Sequence, residues 1–164
     1  MTAAAAERIE PVVIRHRSDR EICATWGAVV VRICDGNRTE IADLERVDVL
    51  FDELLAKHES IGMLLVFTHD TPLPTLPTQR YAARSLERLR GRVLLAIATV
   101  GLGFWASTFT SAVDAILRAV DGKIAIETTA EKAVERLAGE LIGIDPVELL
   151  RVYRELSAEL GRRG

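Results

Sequence analysis

His69 and Asp70 adjoin on the segment that follows an apolar run, Met63-Leu64-Leu65-Val66-Phe67. Loops that leave the C-terminal ends of strands are where α/β proteins gather active-site groups. A histidine beside a carboxylate can supply a general base and the group that orients it. Adjacent side chains usually point apart, and no serine or cysteine lies in a recognisable nucleophile motif. The pair reads more simply as a turn capped by its own side chains. Arg80, Arg84 and Arg88 recur every four residues and so form one stripe if the segment is helical, with Arg90 and Arg92 extending it. Such a stripe is either a solvated face or a docking face for an acidic or phosphorylated partner. Thr71, Thr75 and Thr78 place hydroxyls just before it, and a phosphate on Thr75 or Thr78 would pair with those arginines.

Other chemistry has less support. His16, His58 and His69 lack short ligand spacing, and Cys23 and Cys34 form no Cys-x-x-Cys pair, so no metal or other cofactor is expected. Gly101-Leu102-Gly103-Phe104 precedes a helical pattern, and a helix start can hold an anion. The dinucleotide fingerprint needs a third glycine and should follow the first strand, so these glycines read as a tight turn. If Trp26-Gly27 is a tight turn, Cys23 faces the region of Val30. If the stretch is one strand, the thiols stand about 35 Å apart. Neither arrangement permits a disulfide, and both cysteines are expected to be free and buried.

The elements that must position these groups are marked by periodicity. Pro11 to Arg17 reads as a strand, and Glu21 to Cys34 as two more around Trp26-Gly27, closed by Asp35-Gly36-Asn37. Ile41, Leu44, Val47, Phe51 and Leu54 fall at helical spacing, predicting a helix to His58 with Lys57 and His58 in its last turn. After the strand at Met63 to Phe67, Thr68 to Pro77 holds three of the five prolines and is expected to be a loop. Helix Thr78 to Arg90, strand Val93 to Val100, helix Phe104 to Val120 and strand Lys123 to Glu127 follow. Thr128-Thr129-Ala130-Glu131 reads as a capping box opening a helix to Leu141. Asp145-Pro146 opens a last helix to Leu160, with Pro at the first helical position. The fold class is α/β: a mixed sheet flanked by helices, with Val31, Val66 and Ile97 buried. The domain is expected over 11–141, after a flexible 1–10. The helix 145–160 carries a Leu149, Tyr153, Leu156 stripe that covers the domain itself or self-associates into a homodimer.

Composition bounds the rest. The chain has 164 residues, 49% hydrophobic and 27% charged, which suits one domain with a core. Its net charge of −3 and its 5% aromatics give no reason to expect nucleic-acid binding. The N-terminus lacks a basic stretch followed by an apolar one, so it does not read as a secretory signal. Val93 to Val113 is uncharged over 21 positions, but Gly101, Gly103 and several hydroxyls favour strand-turn-helix over a membrane span. A cytoplasmic location is the expectation.

Two stretches, Arg92 to Val100 and Lys123-Ile124-Ala125-Ile126-Glu127-Thr128-Thr129-Ala130-Glu131-Lys132-Ala133-Val134-Glu135-Arg136-Leu137, carry a family likeness. With the element order, they resemble the STAS domain of anti-sigma-factor antagonists and sulfate-transporter tails, over about Pro11 to Leu141. The family's switch is a serine or threonine in an Asp-Ser-Ser-Gly-like turn, phosphorylated by a kinase-type anti-sigma factor. Asp70 and Thr71 match the Asp-Ser pair in type, whereas the glycine is replaced and prolines follow. The chain is therefore similar to divergent members without a clear switch motif. The resemblance implies a non-catalytic protein-interaction module in bacterial regulatory signalling, with an anti-sigma factor or kinase-like regulator as partner. Asp70, Thr78, Arg80, Arg84 and Arg88 would form the partner surface, with Thr71 or Thr75 as switch. Two other readings stand beside it: a small-molecule or lipid carrier with an apolar pocket near 93–113, and an enzyme centred on His69 and Asp70.

Overall fold

Strands that are apolar on both faces need cover on both sides, and the chain supplies it with two separate helical layers. The computed structural model describes residues 10–68, 71–89, 91–101, 106–118 and 124–162. In order these form β1 (Val13–Arg17), β2 (Glu21–Trp26), β3 (Val29–Asp35), α1 (Ile41–Leu55), β4 (Ile61–Thr68), α2 (Leu76–Arg88), β5 (Val93–Val100), α3 (Ala106–Arg118), β6 (Ile124–Glu127), α4 (Ala130–Glu140) and α5 (Pro146–Gly161). The six strands lie side by side in chain order. β1 to β3 are antiparallel and β3 to β6 parallel, so the α/β class with a mixed sheet holds.

Strand order explains the layers. Each parallel step moves the chain one strand in the same direction, and right-handed crossovers then put the connecting helices on one face. Val47, Leu50, Phe51 and Leu54 of α1 pack there with Cys23, Val30, Met63, Phe67 and Ile97. Leu64, Val66, Val31 and Ile33 alternate to the opposite face, under α4 and α5. Val31, Val66 and Ile97 are buried as expected. Gly62 lets α4 come close to β4: a Cβ there would sit 3.0 Å from Leu137 Cδ1 and closer still to Leu141.

The structure corrects several sequence expectations. The hairpin turns at Gly27-Ala28, with Gly27 at φ +52, so Cys23 faces Arg32 rather than the region of Val30. Both cysteines are free and buried. Helix α1 stops at Leu55, leaving Lys57 and His58 in the turn beyond it. Pro77 lies inside the first turn of α2, which tolerates proline because its N–H would have no helical partner. The α4 cap is Thr129, whose hydroxyl accepts from Lys132 N at 3.2 Å, one residue later than the capping box required. Asp145 caps α5 ahead of Pro146 as anticipated. The flexible 1–10 segment falls outside the described residues except for Glu10.

The self-association stripe is also reassigned. Leu149 is 0% exposed and Leu156 is buried, both in the core formed with β2, β3 and α4, and Tyr153 packs against the same cluster. Arg17 of β1 donates to Glu159 of α5 at 2.5 Å, tying the edge strand to this helix. The stripe is interior because the β2–β3 half of that face has α5 as its cover. Leu149→Ala is expected to destabilise the protein by about 2–5 kcal/mol, the usual cost of a cavity at a fully buried leucine. Urea denaturation checks this, and an unchanged midpoint would put α5 off the sheet.

Candidate functional site

The C-terminal ends of the parallel strands carry a polar cluster. Thr68 Oγ1 donates to Asp35 Oδ1 at 2.7 Å, joining the ends of β4 and β3. Thr71 Oγ1 donates to Thr68 O at 2.6 Å and accepts from Gly36 N at 3.3 Å. Thr71 is buried, so its hydroxyl staples two loops together and is not presented for phosphorylation in this arrangement. His69 and Asp70, the expected enzyme centre and partner residue, lie outside the described residues, as do Arg90 and Leu102-Gly103-Phe104.

Helix α2 separates the residues that the sequence grouped together. Thr78 is 2% exposed and shares a hydrogen bond with Thr75 Oγ1 at 3.1 Å. Two residues on, about 200° around the helix, Arg80 is exposed. Thr78 therefore belongs to the inner side and not to the partner surface. Thr75 is exposed at the N-cap. Tyr81 Oη donates to Asp48 at 2.8 Å, Ser85 bonds the same carboxylate, and Arg88 reaches Asp52 at 3.0 Å. These contacts dock α2 on α1 through polar groups and take Arg88 out of the free stripe. Arg80 and Arg84 form no ion pair among the described residues. Leu76 beside them is 64% exposed.

The strongest electrostatic feature was not anticipated. Arg32, on β3, is 1% exposed, and Glu21, on β2, is 4% exposed. Arg32 Nε donates to Glu21 Oε1 at 3.0 Å and Nη2 to Oε2 at 3.1 Å, a two-point pair. Arg32 Nη1 donates to Thr39 at 3.2 Å, Asp43 lies 3.8 Å from Nη2, and Asn37 Nδ2 donates to Glu21 at 3.1 Å. Asp43 also accepts from Glu40 N at 2.7 Å at the start of α1 and binds Arg46. The pair is diagonal across the hairpin, since Cys23 opposes Arg32 and Cys34 opposes Glu21. A lone arginine in Val29-Val30-Val31-Arg32-Ile33-Cys34 was the sequence signal for it.

Burial sets the acid–base character here. Desolvation pushes Glu21 up, but Arg32, His16 and Asn37 outweigh it, and the carboxyl is held below its ordinary 4.5. Desolvation raises the Cys23 thiol to about 11 and Cys34 to about 12, so both stay protonated at neutral pH and are poor nucleophiles. No group of three or more His, Cys, Asp or Glu is placed to hold a metal among the described residues. Within them, no helix is long and apolar enough to cross a membrane, and 93–113 resolves into β5 and the start of α3.

A large cavity, about 550 Å³, opens between β5, β6 and α4, lined by Leu94, Ala96, Ala125, Leu137 and Arg136. From the 93–113 stretch, Leu94, Leu95 and Ala96 of β5 line it among the described residues. Arg136 is ion-paired with Glu127 at 3.5 Å beside it. No family model matches the chain, and neither does any curated protein or solved structure.

The buried pair makes two checks. Arg32→Met is expected to cost about 3–5 kcal/mol, because Glu21 is left as an uncompensated buried charge. Adding Glu21→Met to that variant is expected to restore most of the loss, as both charges then disappear. A double variant as unstable as the single one would show that the pair's geometry itself holds the hairpin. For pH, the folded-state pKa of Glu21 is depressed, so its contribution is complete above 4.5 and fades as the pH falls below that value. Urea midpoints measured from about pH 6 to about pH 3, where carboxylates titrate, should fall more steeply in the wild type than in the double variant.

Proposed function

We propose that the chain is a non-catalytic, STAS-like protein-interaction module that serves bacterial regulatory signalling in the cytoplasm. Its partner surface is the outward face of α2, and its partner is an acidic or phosphorylated protein of the anti-sigma-factor or kinase-like class. The observation that carries this reading is the pair Arg80 and Arg84, exposed one turn apart on α2 and without ion pairs among the described residues. Leu76 adds exposed apolar area to the same helix, and mixed basic and apolar patches suit protein interfaces. Thr75 is the acceptor for a regulatory phosphate in this reading. A phosphate at the N-cap would sit at the positive end of the helix dipole.

Arg80→Ala with Arg84→Ala is expected to reduce recovery of the partner from native lysate by about tenfold or more. The melting temperature should stay within about 2 °C, because exposed charges contribute little stability. Equal recovery would place the interface elsewhere. The second reading, a small-ligand carrier, would then rest on the cavity between β5, β6 and α4, and native mass spectrometry would show the bound ligand.

A further inference from the structure

A second cleft lies on the other side of the molecule's polar network. It is about 210 Å³, between the β1–β2 edge of the sheet and the flank of α1, room for about seven waters at ~30 Å³ each. Its floor is Glu21 and Cys23, and its walls include Arg15 and His16 from β1 and Asp43 and Arg46 from α1. Val47, Val49 and Leu50 give it one apolar side.

The charges in this cleft are ordered from the inside outwards. Arg32, beneath the floor, engages both oxygens of Glu21 and stands 3.8 Å from Asp43. Asn37 and Glu40 N supply further donors to those two carboxylates. Asp43 in turn fixes Arg46, whose Nη2 lies 3.4 Å from His16 Nε2. The arginine can only donate, so Nε2 is the acceptor in that contact. Arg15 is held 2.6 Å from Glu53, a contact with both partners partly exposed. The acidic groups are thus already engaged from below, while Arg15, His16 and Arg46 are gathered at the open cleft. Each of these ion pairs uses only part of an arginine's five-donor fork, which leaves N–H groups for a further acceptor. Arginines whose position is fixed by such contacts can turn their remaining N–H donors to an oxyanion.

We propose that this cleft binds a small anionic metabolite through a phosphate or carboxylate group, placed among Arg15, His16 and Arg46. A short apolar part of the same ligand would lie against Val47, Val49 and Leu50. The site is separate from α2 and does not depend on the partner-binding reading.

The test titrates the full chain with potassium phosphate, and separately with succinate, at ionic strength held constant with KCl. Imidazole proton resonances are followed by NMR, and the His16 signal is assigned by its loss in His16→Gln. A saturable shift of His16, with His58 unmoved, is expected for at least one anion. Saturation by phosphate alone assigns a phosphoryl ligand, and by succinate alone a carboxylate. Arg46→Ala should raise the midpoint by about tenfold or more, with Arg15→Ala as a second variant should the first fail to fold. Arg80→Ala with Arg84→Ala should leave the midpoint unchanged. A shift that fails to saturate with either anion, or a midpoint that both cleft variants leave intact, would overturn the proposal.

Discussion

Arg32 carries a permanent positive charge to a position 1% exposed, and everything around it is arranged to keep that charge satisfied. Taking a guanidinium out of water costs several kcal/mol unless it is paired and hydrogen-bonded. Glu21 provides the pairing, and that fixes the β2–β3 hairpin in one register. Thr39 and Asp43 provide the remaining partners, and that fixes where α1 begins. One side chain therefore joins the antiparallel end of the sheet to the first helix of its parallel part. A hydrophobic residue could fill the same space, but it would not distinguish this register from a neighbouring one.

Helix α2 is held in a different way. Only Thr78 of its residues is buried, and its contacts with α1 run through the carboxylates Asp48 and Asp52. Six of its thirteen residues are exposed, Arg80 and Arg84 among them, while Leu86 packs against the core. Helices α4 and α5, by contrast, are bound through apolar side chains such as Val134, Leu137, Leu149 and Val152. The layer of α4 and α5 is thus held by apolar packing, while the layer of α1 and α2 adds a polar, accessible flank to its own apolar core. The proposed partner surface lies on the second.

Much of the fold was legible because its central strands are apolar runs separated by turn residues and helical periods. The two edge strands, β1 and β6, lack such long runs and were legible from short β-rich stretches flanked by turns. What the sequence did not disclose was register. Moving the hairpin turn from Trp26-Gly27 to Gly27-Ala28 shifts every cross-strand partner, and with it the neighbour of Cys23. The Arg32–Glu21 pair depends on that register, which is why an arginine in an apolar strand was visible but its partner was not. The arginine stripe was legible from its four-residue period. That Arg88 pairs with Asp52 and that Thr78 turns inward depend on how α2 lies on α1, which no local pattern encodes.

The placement of α5 has a consequence for the order in which the chain can be completed. The parallel strands join nearest neighbours in sequence, so that part of the sheet can assemble from local contacts as it is made. The inner face of β2 and β3 is different, because its cover is α5, which follows every strand in sequence. During synthesis Ile22, Ala24 and Ile33 are therefore made long before Leu149 and Leu156 arrive to bury them. A nascent chain halted before α5 would carry an apolar sheet face open to other chains. Emergence of α5, rather than formation of the sheet, is the step at which this face becomes protected from aggregation.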